Sequence, residues 1–264
     1  MAGELTDRAV VIIGGTTGLG LSATRACLAA GANTVVVGLD PETTALAAAQ
    51  LGPSARLLAA DARDRDTAAR AIEIAVHEFG RFDALYHVAG GSGRRHGDGP
   101  LHGISDEGWR FTLDLNLTAL FHSNRAAARF FVTNQMGGSV LNMGSVLGYS
   151  PSPRYFATHT YAAAKSAVIG FTKSCAAYYG AHDVRFNVIA PALVDTPMAA
   201  RAAGDERILK FIASKQPLDG GRIGRPEDLD AAVVFFLSDA SRFVTGQVLA
   251  VDGGWMVSEG QARD

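Results

Sequence analysis

Short apolar runs alternate with longer stretches in which apolar residues recur at helical spacing, and this alternation continues along nearly the whole chain. Runs at 9–13, 33–37, 56–60, 83–88, 139–143, 184–189 and 247–251 read as strands. The stretches between them predict helices: one ending near Ala30, one at 64–79, one at 105–134, one bearing Tyr161 and Lys165, and a long last helix starting at 225–228. Segment 197–221 reads as one or two helices without strong caps and, from its position, as a lid over a substrate. Strand–helix alternation of this kind predicts an α/β fold, a doubly wound parallel sheet with helices on both faces. Residues 1–264 form one domain in this reading, with no repeat or linker.

Composition agrees with one large core: 48% of the 264 residues are hydrophobic and 19% charged. The net charge is -2 with acids and bases mixed, so no basic stripe points to nucleic acid or to an anionic membrane. A small-molecule ligand is expected. Cys27 and Cys175 fall in helical apolar segments and suit two buried hydrophobes better than a disulfide or metal site. No apolar run approaches the ~18 residues of a membrane span, and residues 1–8 carry acids without an apolar leader pattern. A soluble, cytoplasmic protein is expected.

The first strand runs directly into Gly14-Gly15-Thr16-Thr17-Gly18-Leu19-Gly20 and then a helix. Glycines there permit a tight turn and let the backbone from Gly14 through Thr17, Gly18, Leu19 and Gly20 approach a pyrophosphate. The spacing is G-x-x-x-G-x-G, and alone it could mark only a strand–helix connection. Asp40 lies 20 residues beyond Gly20, where a carboxylate can bond an adenosine ribose. With Pro41 following, it is equally suited to cap the next helix. No basic side chain stands nearby for a 2′-phosphate, which favours NAD over NADP. Asp61 and Ala62 end the third strand, where adenine would lie, and Ala89-Gly90-Gly91 forms a flexible exit from the fourth. Arg94, Arg95 and His96 could clamp an anion, although such a cluster is more commonly a solvated loop.

Asn116, in a helix interior, is either tolerated on a wet face or kept for a hydrogen bond that distorts the helix. The fifth strand delivers Gly144 and Ser145 to the edge that carries the glycine turn. Tyr161 and Lys165 stand one helical turn apart on one face, where a cation can lower a phenol's pKa toward acid/base use.

These residues in this order resemble the short-chain dehydrogenase/reductase family over nearly the whole chain. The resemblance also rests on Asp114-Leu115-Asn116-Leu117, Arg185, Asn187, Pro191 and Thr196, and on the runs 221–228, 245–247 and 251–254. It implies a Rossmann-type sheet and hydride transfer between a nicotinamide cofactor and a secondary alcohol or ketone. Tyr161 would be the acid/base, Lys165 would lower its pKa and hold the nicotinamide ribose, Ser145 would bond the substrate oxygen, and Asn116 would hold a water linking Lys165 to solvent. Pro191, Val194 and Thr196 would meet the nicotinamide end, while Ala89 and Gly90 line the cofactor floor. Relatives commonly form tetramers, so a homotetramer or homodimer is expected.

Several positions depart from the family pattern. Ile13 replaces a Thr and His87-Val88 an Asn-Asn, which removes side-chain ties between the glycine turn and strand four. The loop between Ser145 and Tyr161 is a few residues longer than the family pattern, which makes Ser150 a reserve candidate and Tyr155 an expected substrate contact. Arg94, Arg95, Arg154, Tyr155 and Phe156 would suit an acidic or aromatic substrate. Two other classes remain: a dinucleotide-binding regulatory or scaffold protein without turnover, and a dehydratase or epimerase built on the same pocket.

Overall fold

The computed structural model describes residues 3–260. In chain order it runs β1 Ala9–Ile13, α1 Gly18–Ala29, β2 Asn33–Gly38, α2 Pro41–Leu51, β3 Ala55–Ala59, α3 Thr67–Phe79, β4 Ala84–His87, α4 Asp106–Leu113 and α5 Ala119–Thr133. It continues with β5 Gly138–Met143, α6 His159–Tyr179, β6 Val184–Pro191, α7 Ala200–Ala203, α8 Glu206–Lys215, α9 Asp230–Leu237 and β7 Val248–Val251. All seven strands pair in parallel, in the order β3-β2-β1-β4-β5-β6-β7.

Near-continuous apolar runs suit strands covered on both faces, and every residue of β1 is buried. Alternation along β1 sorts side chains to two cores. Val10 and Ile12 join Tyr86 and Leu141 beneath Val233 and Phe236 of α9. Val11 and Ile13 join Leu85 and Val140 beneath Ile72 of α3 and Phe131 of α5. Chain order reverses between β1 and β4, and this switch opens a crevice at the carboxyl ends of the strands.

Two helices differ from expectation. The stretch 105–134 is α4 and α5 joined by a π-helical segment, Asp114–Thr118, centred on Asn116. The long last helix is instead a 3-10 turn, Pro226–Leu229, leading into the short α9. Asp228 tightens that turn by accepting from the Arg225 N–H while it pairs with Arg222 at 2.6 Å. The segment at 197–221 holds α7 and α8, and α8 does carry a cap, with Asp205 accepting from the N–H groups of Arg207 and Ile208.

Candidate active site

A groove of about 390 Å³ lies at the switch point, lined by the glycine turn, Asp40, Asp61, Ala62, Val88, Ala89, Gly90 and Thr196. The turn is shaped for close approach. Gly14 has φ +92°, and a Cβ there would sit 2.7 Å from the Ala89 nitrogen. At Gly90 a Cβ would fall 2.7 Å from Asn116 Oδ1. Such a cradle, at the N-terminus of α1 with no acidic residue in its first turn, fits a dinucleotide pyrophosphate. Asp40 lines the groove and also caps α2, accepting from the Thr43 N–H at 2.8 Å. Asp61 lines it too, with its carboxylate paired to Arg63 at 2.6 Å and held below the usual carboxylate range mainly by that hydrogen bond. Among the described residues no lysine or arginine lines this groove.

A smaller cavity of about 100 Å³ continues the groove to Ser145, Tyr161, Lys165, Pro191, Val194 and Thr196. Beyond it, Ser145 and Tyr161 also line a cavity of about 560 Å³ with apolar walls. Lys165 Nζ donates to the Met143 carbonyl at 2.8 Å and lies 5.5 Å from the centre of the Tyr161 ring. Burial lowers its pKa to about 8. Tyr161 departs from expectation: burial raises the phenol above its ordinary range, and the neighbouring Ser145 hydroxyl draws it back only in part. Desolvation of the anion outweighs the lowering expected from Lys165.

Asn116 is fully buried, and its amide joins two elements. Nδ2 donates to the carbonyls of Gly91 at 2.8 Å and Thr112 at 2.9 Å, while Oδ1 accepts from the Gly91 N–H at 3.1 Å. These bonds lock the exit of β4 onto the π-helical segment. The distorting hydrogen bond is the reading of Asn116 that holds, and π-bulges often occur at functional positions.

A family model described as enoyl-(acyl carrier protein) reductase matches residues 14–256. The chain is 32% identical over 257 residues to cis-4-hydroxycyclohexanecarboxylate dehydrogenase of Sinomonas cyclohexanicum, spanning 97% of this chain and 99% of that one. It is also 32% identical over 254 residues to 2-dehydro-3-deoxy-D-gluconate 5-dehydrogenase of Escherichia coli (strain K12), spanning 96% and 97%. A solved structure of a short-chain type dehydrogenase/reductase from Mycobacterium ulcerans matches with TM-score 0.88 at 33% identity, over 98% of this chain and 92% of that one. The chain belongs to the short-chain dehydrogenase/reductase family. It is an oxidoreductase acting on a CH–OH or C=O group of a small molecule, and its family uses nicotinamide dinucleotides.

Within this short-chain dehydrogenase/reductase frame, the departures at Ile13 and His87-Val88 do not loosen the site. The Ile13 carbonyl accepts both the Val88 N–H at 2.9 Å and the Ala89 N–H at 2.8 Å, so backbone ties the turn to β4. The His87 ring turns away to Ser123, with 2.7 Å between Nδ1 and Oγ, and burial lowers its pKa to about 3. Ser150 receives the Trp255 indole N–H at 3.2 Å and does not line the substrate cavity, and neither does Tyr155, whose ring packs on Phe211.

Three contributors have weak sequence signals. Buried Asp98 caps α6: Oδ1 accepts from the Thr160 N–H at 3.0 Å and Oδ2 from the Tyr161 N–H at 2.9 Å. Gln216 bonds both backbone groups of Leu193 and so fixes the loop after β6. Trp255 forms part of the substrate cavity wall. Asp98 was visible only as an acid between two glycines and Trp255 only as the residue after a Gly-Gly pair.

Proposed function

We propose that this enzyme moves a hydride between NAD(H) and a secondary alcohol or ketone, with Tyr161 as proton donor and acceptor. One observation carries the reading: Ser145 and Tyr161 line both the substrate cavity and the small space that connects it, past Lys165, to the dinucleotide groove. The cofactor, when bound, supplies or takes the hydride.

The chain's own groups manage the oxygen. During reduction Tyr161 Oη gives its proton to the substrate oxygen as charge develops there, and as phenolate it takes that proton back in oxidation. The Ser145 hydroxyl donates to the same oxygen and stabilises the developing charge. Lys165, anchored by Met143, holds a positive charge beside the phenol and has N–H groups to offer the nicotinamide ribose. The remaining Oδ1 lone pair of Asn116 can hold the water that links Lys165 to solvent. Pro191, Val194 and Thr196 meet the nicotinamide end, and the glycine turn takes the pyrophosphate.

NAD is preferred over NADP in this reading, because the groove has Asp40 at its adenosine end and, among the described residues, no cationic side chain. Residues 197–221 act as a lid on the single domain. Assembly is as a homotetramer or homodimer, supported by Phe121 on α5 and Tyr178 on α6, exposed at 39% and 68%. No helix among the described residues is long and apolar enough to cross a membrane, and the cytoplasm is the proposed location.

Titration with NADH and NADPH, followed by quenching of Trp109 and Trp255 and by cofactor fluorescence, tests the cofactor assignment. NADH should bind about tenfold or more tightly than NADPH, since a 2′-phosphate would meet Asp40 without a partner. The reverse preference would leave Asp40 as a helix cap alone. Failure of both to bind would overturn the enzyme reading of the groove.

A further inference from the structure

The substrate cavity carries charge that hydride transfer does not use. Its walls are mainly apolar, yet Arg94, Arg95 and Arg201 stand on it and, among the described residues, no aspartate or glutamate does. They come from separate elements, Arg94 and Arg95 from the loop after β4 and Arg201 from α7, and of the first two Arg95 is exposed while Arg94 is half-buried.

Arg94 does not sit on a loose loop. It opens a 3-10 turn, Arg94–His96, pinned at three points. Gly93 before it has φ +65°, and its Cα packs so closely on the Thr112 side chain that a Cβ would not fit. The His96 ring stacks on Phe111 with 3.7 Å between centroids. Asp98 after it is bonded to the N-terminus of α6. Arg94 is half-buried, and among the described residues no hydrogen bond or ion pair engages its guanidinium. Asp98, the acid that acts on it electrostatically, spends both oxygens on backbone N–H groups. Burial and the charge of Arg201 pull the Arg94 guanidinium below its usual range. Arg201 donates to the Tyr155 carbonyl at 3.2 Å, which fixes it on the lid side of the same cavity.

Like charges facing one apolar space, with no carboxylate of the described residues lining it, lack the anion that would make the arrangement favourable. A guanidinium fork matches a carboxylate in shape and charge. We propose that Arg94 and Arg201 form a carboxylate subsite, so that the substrate is a secondary alcohol or ketone whose apolar, ring-sized body carries a carboxylate remote from the reacting carbon. This assignment rests on the hydride-transfer reading and narrows its substrate class. A carboxylate held by Arg201 also ties the lid segment to the bound substrate.

Two pairs of probes test it: 4-acetylbenzoate against 4-acetylbenzamide, and 3-oxocyclohexanecarboxylate against its carboxamide. Binding is measured by calorimetry in the presence of NAD, and NADH oxidation is followed separately, for the wild type, Arg94→Gln, Arg94→Lys and Arg201→Gln. At least one carboxylate should bind roughly 10–100-fold more tightly than its amide, the range expected for charge-assisted hydrogen bonds. Arg94→Gln and Arg201→Gln should each remove most of that preference, and Arg94→Lys should restore part of it. Arg201 is exposed, so its variant reports on the subsite even if Arg94→Gln fails to fold. Equal binding of acid and amide, no measurable binding of either acid at millimolar concentration, or a preference that survives both glutamine variants would overturn the subsite. Turnover of the amides as readily as the acids would overturn it while leaving hydride transfer standing. Arginine-dependent binding of the acids with no NADH oxidation for any ketone would support the subsite and count against the hydride-transfer reading.

Discussion

Lys165 is 3% exposed and donates a hydrogen bond to the Met143 carbonyl. Burial lowers its pKa from 10.5 to about 8. Below about pH 8 the lysine is charged in both folded and unfolded protein, and the folded state bears the full desolvation penalty. Between about 8 and 10.5 the folded form is neutral while the unfolded form stays charged, so the penalty fades and stability from this group rises with pH. Across that window the gain is on the order of 3 kcal/mol. Urea unfolding of the cofactor-free protein near pH 7 and near pH 10 should show that rise in the wild type relative to Lys165→Met. Parallel profiles for the two proteins would contradict it. The proposed catalytic set could be named from sequence, because Tyr161 and Lys165 are local neighbours and Asn116 and Ser145 recur in family order. The raised Tyr161 phenol could not be, since burial depends on packing that spacing does not reveal.

At the level of elements, the start of α6, which carries Tyr161, is held by a residue 63 positions upstream, Asp98. Asp98→Ala would strand the N–H groups of Thr160 and Tyr161, at about 0.5–2 kcal/mol for lost capping. In a chain of this size that is a fall in Tm of about 2–4 °C per kcal/mol. A lower kcat should accompany it, because the same bonds set the start of the turn that carries Tyr161. Calorimetry and steady-state kinetics on Asp98→Ala and Asp98→Asn check this, and unchanged Tm and kcat in both would dismiss the cap. The glycine turn is equally exacting. Gly14→Ala would place a Cβ 2.7 Å from the Ala89 nitrogen at φ +92°, so NADH affinity should fall by more than roughly tenfold. Affinity equal to wild type in the same fluorescence titration would refute that geometry. The strands could be read from apolar runs, whereas the break around Asn116 was only one of two readings that a poor helix former allowed. The shortened last helix could not, because the tight turn at Pro226–Leu229 depends on how Asp228 divides its oxygens between Arg222 and the Arg225 backbone.

For the whole molecule, the reversal between β1 and β4 places the dinucleotide groove and substrate cavity end to end, with Ser145, Tyr161 and Lys165 at the junction. The sheet and its switch point followed from the alternation of strands and helices. The charge of the cavity followed only in part: Arg94 and Arg95 offered an anion clamp in sequence, but Arg201, 107 positions beyond Arg94, joins them only in the folded cavity. Exposed Phe121 and Tyr178 lead to an assembly prediction: sedimentation should show a tetramer or dimer, shifted to smaller species by Phe121→Glu. A monomeric wild type would contradict it. The central claim is that Tyr161 moves the proton while the groove holds the cofactor. Steady-state reduction of a ketone that the wild type turns over, at saturating NADH, tests it most directly when Tyr161→Phe is compared with the wild type and NADH affinity is measured in parallel. The predicted result is a kcat lower by about 10²–10⁴-fold with NADH binding retained. Wild-type turnover by Tyr161→Phe would contradict the account.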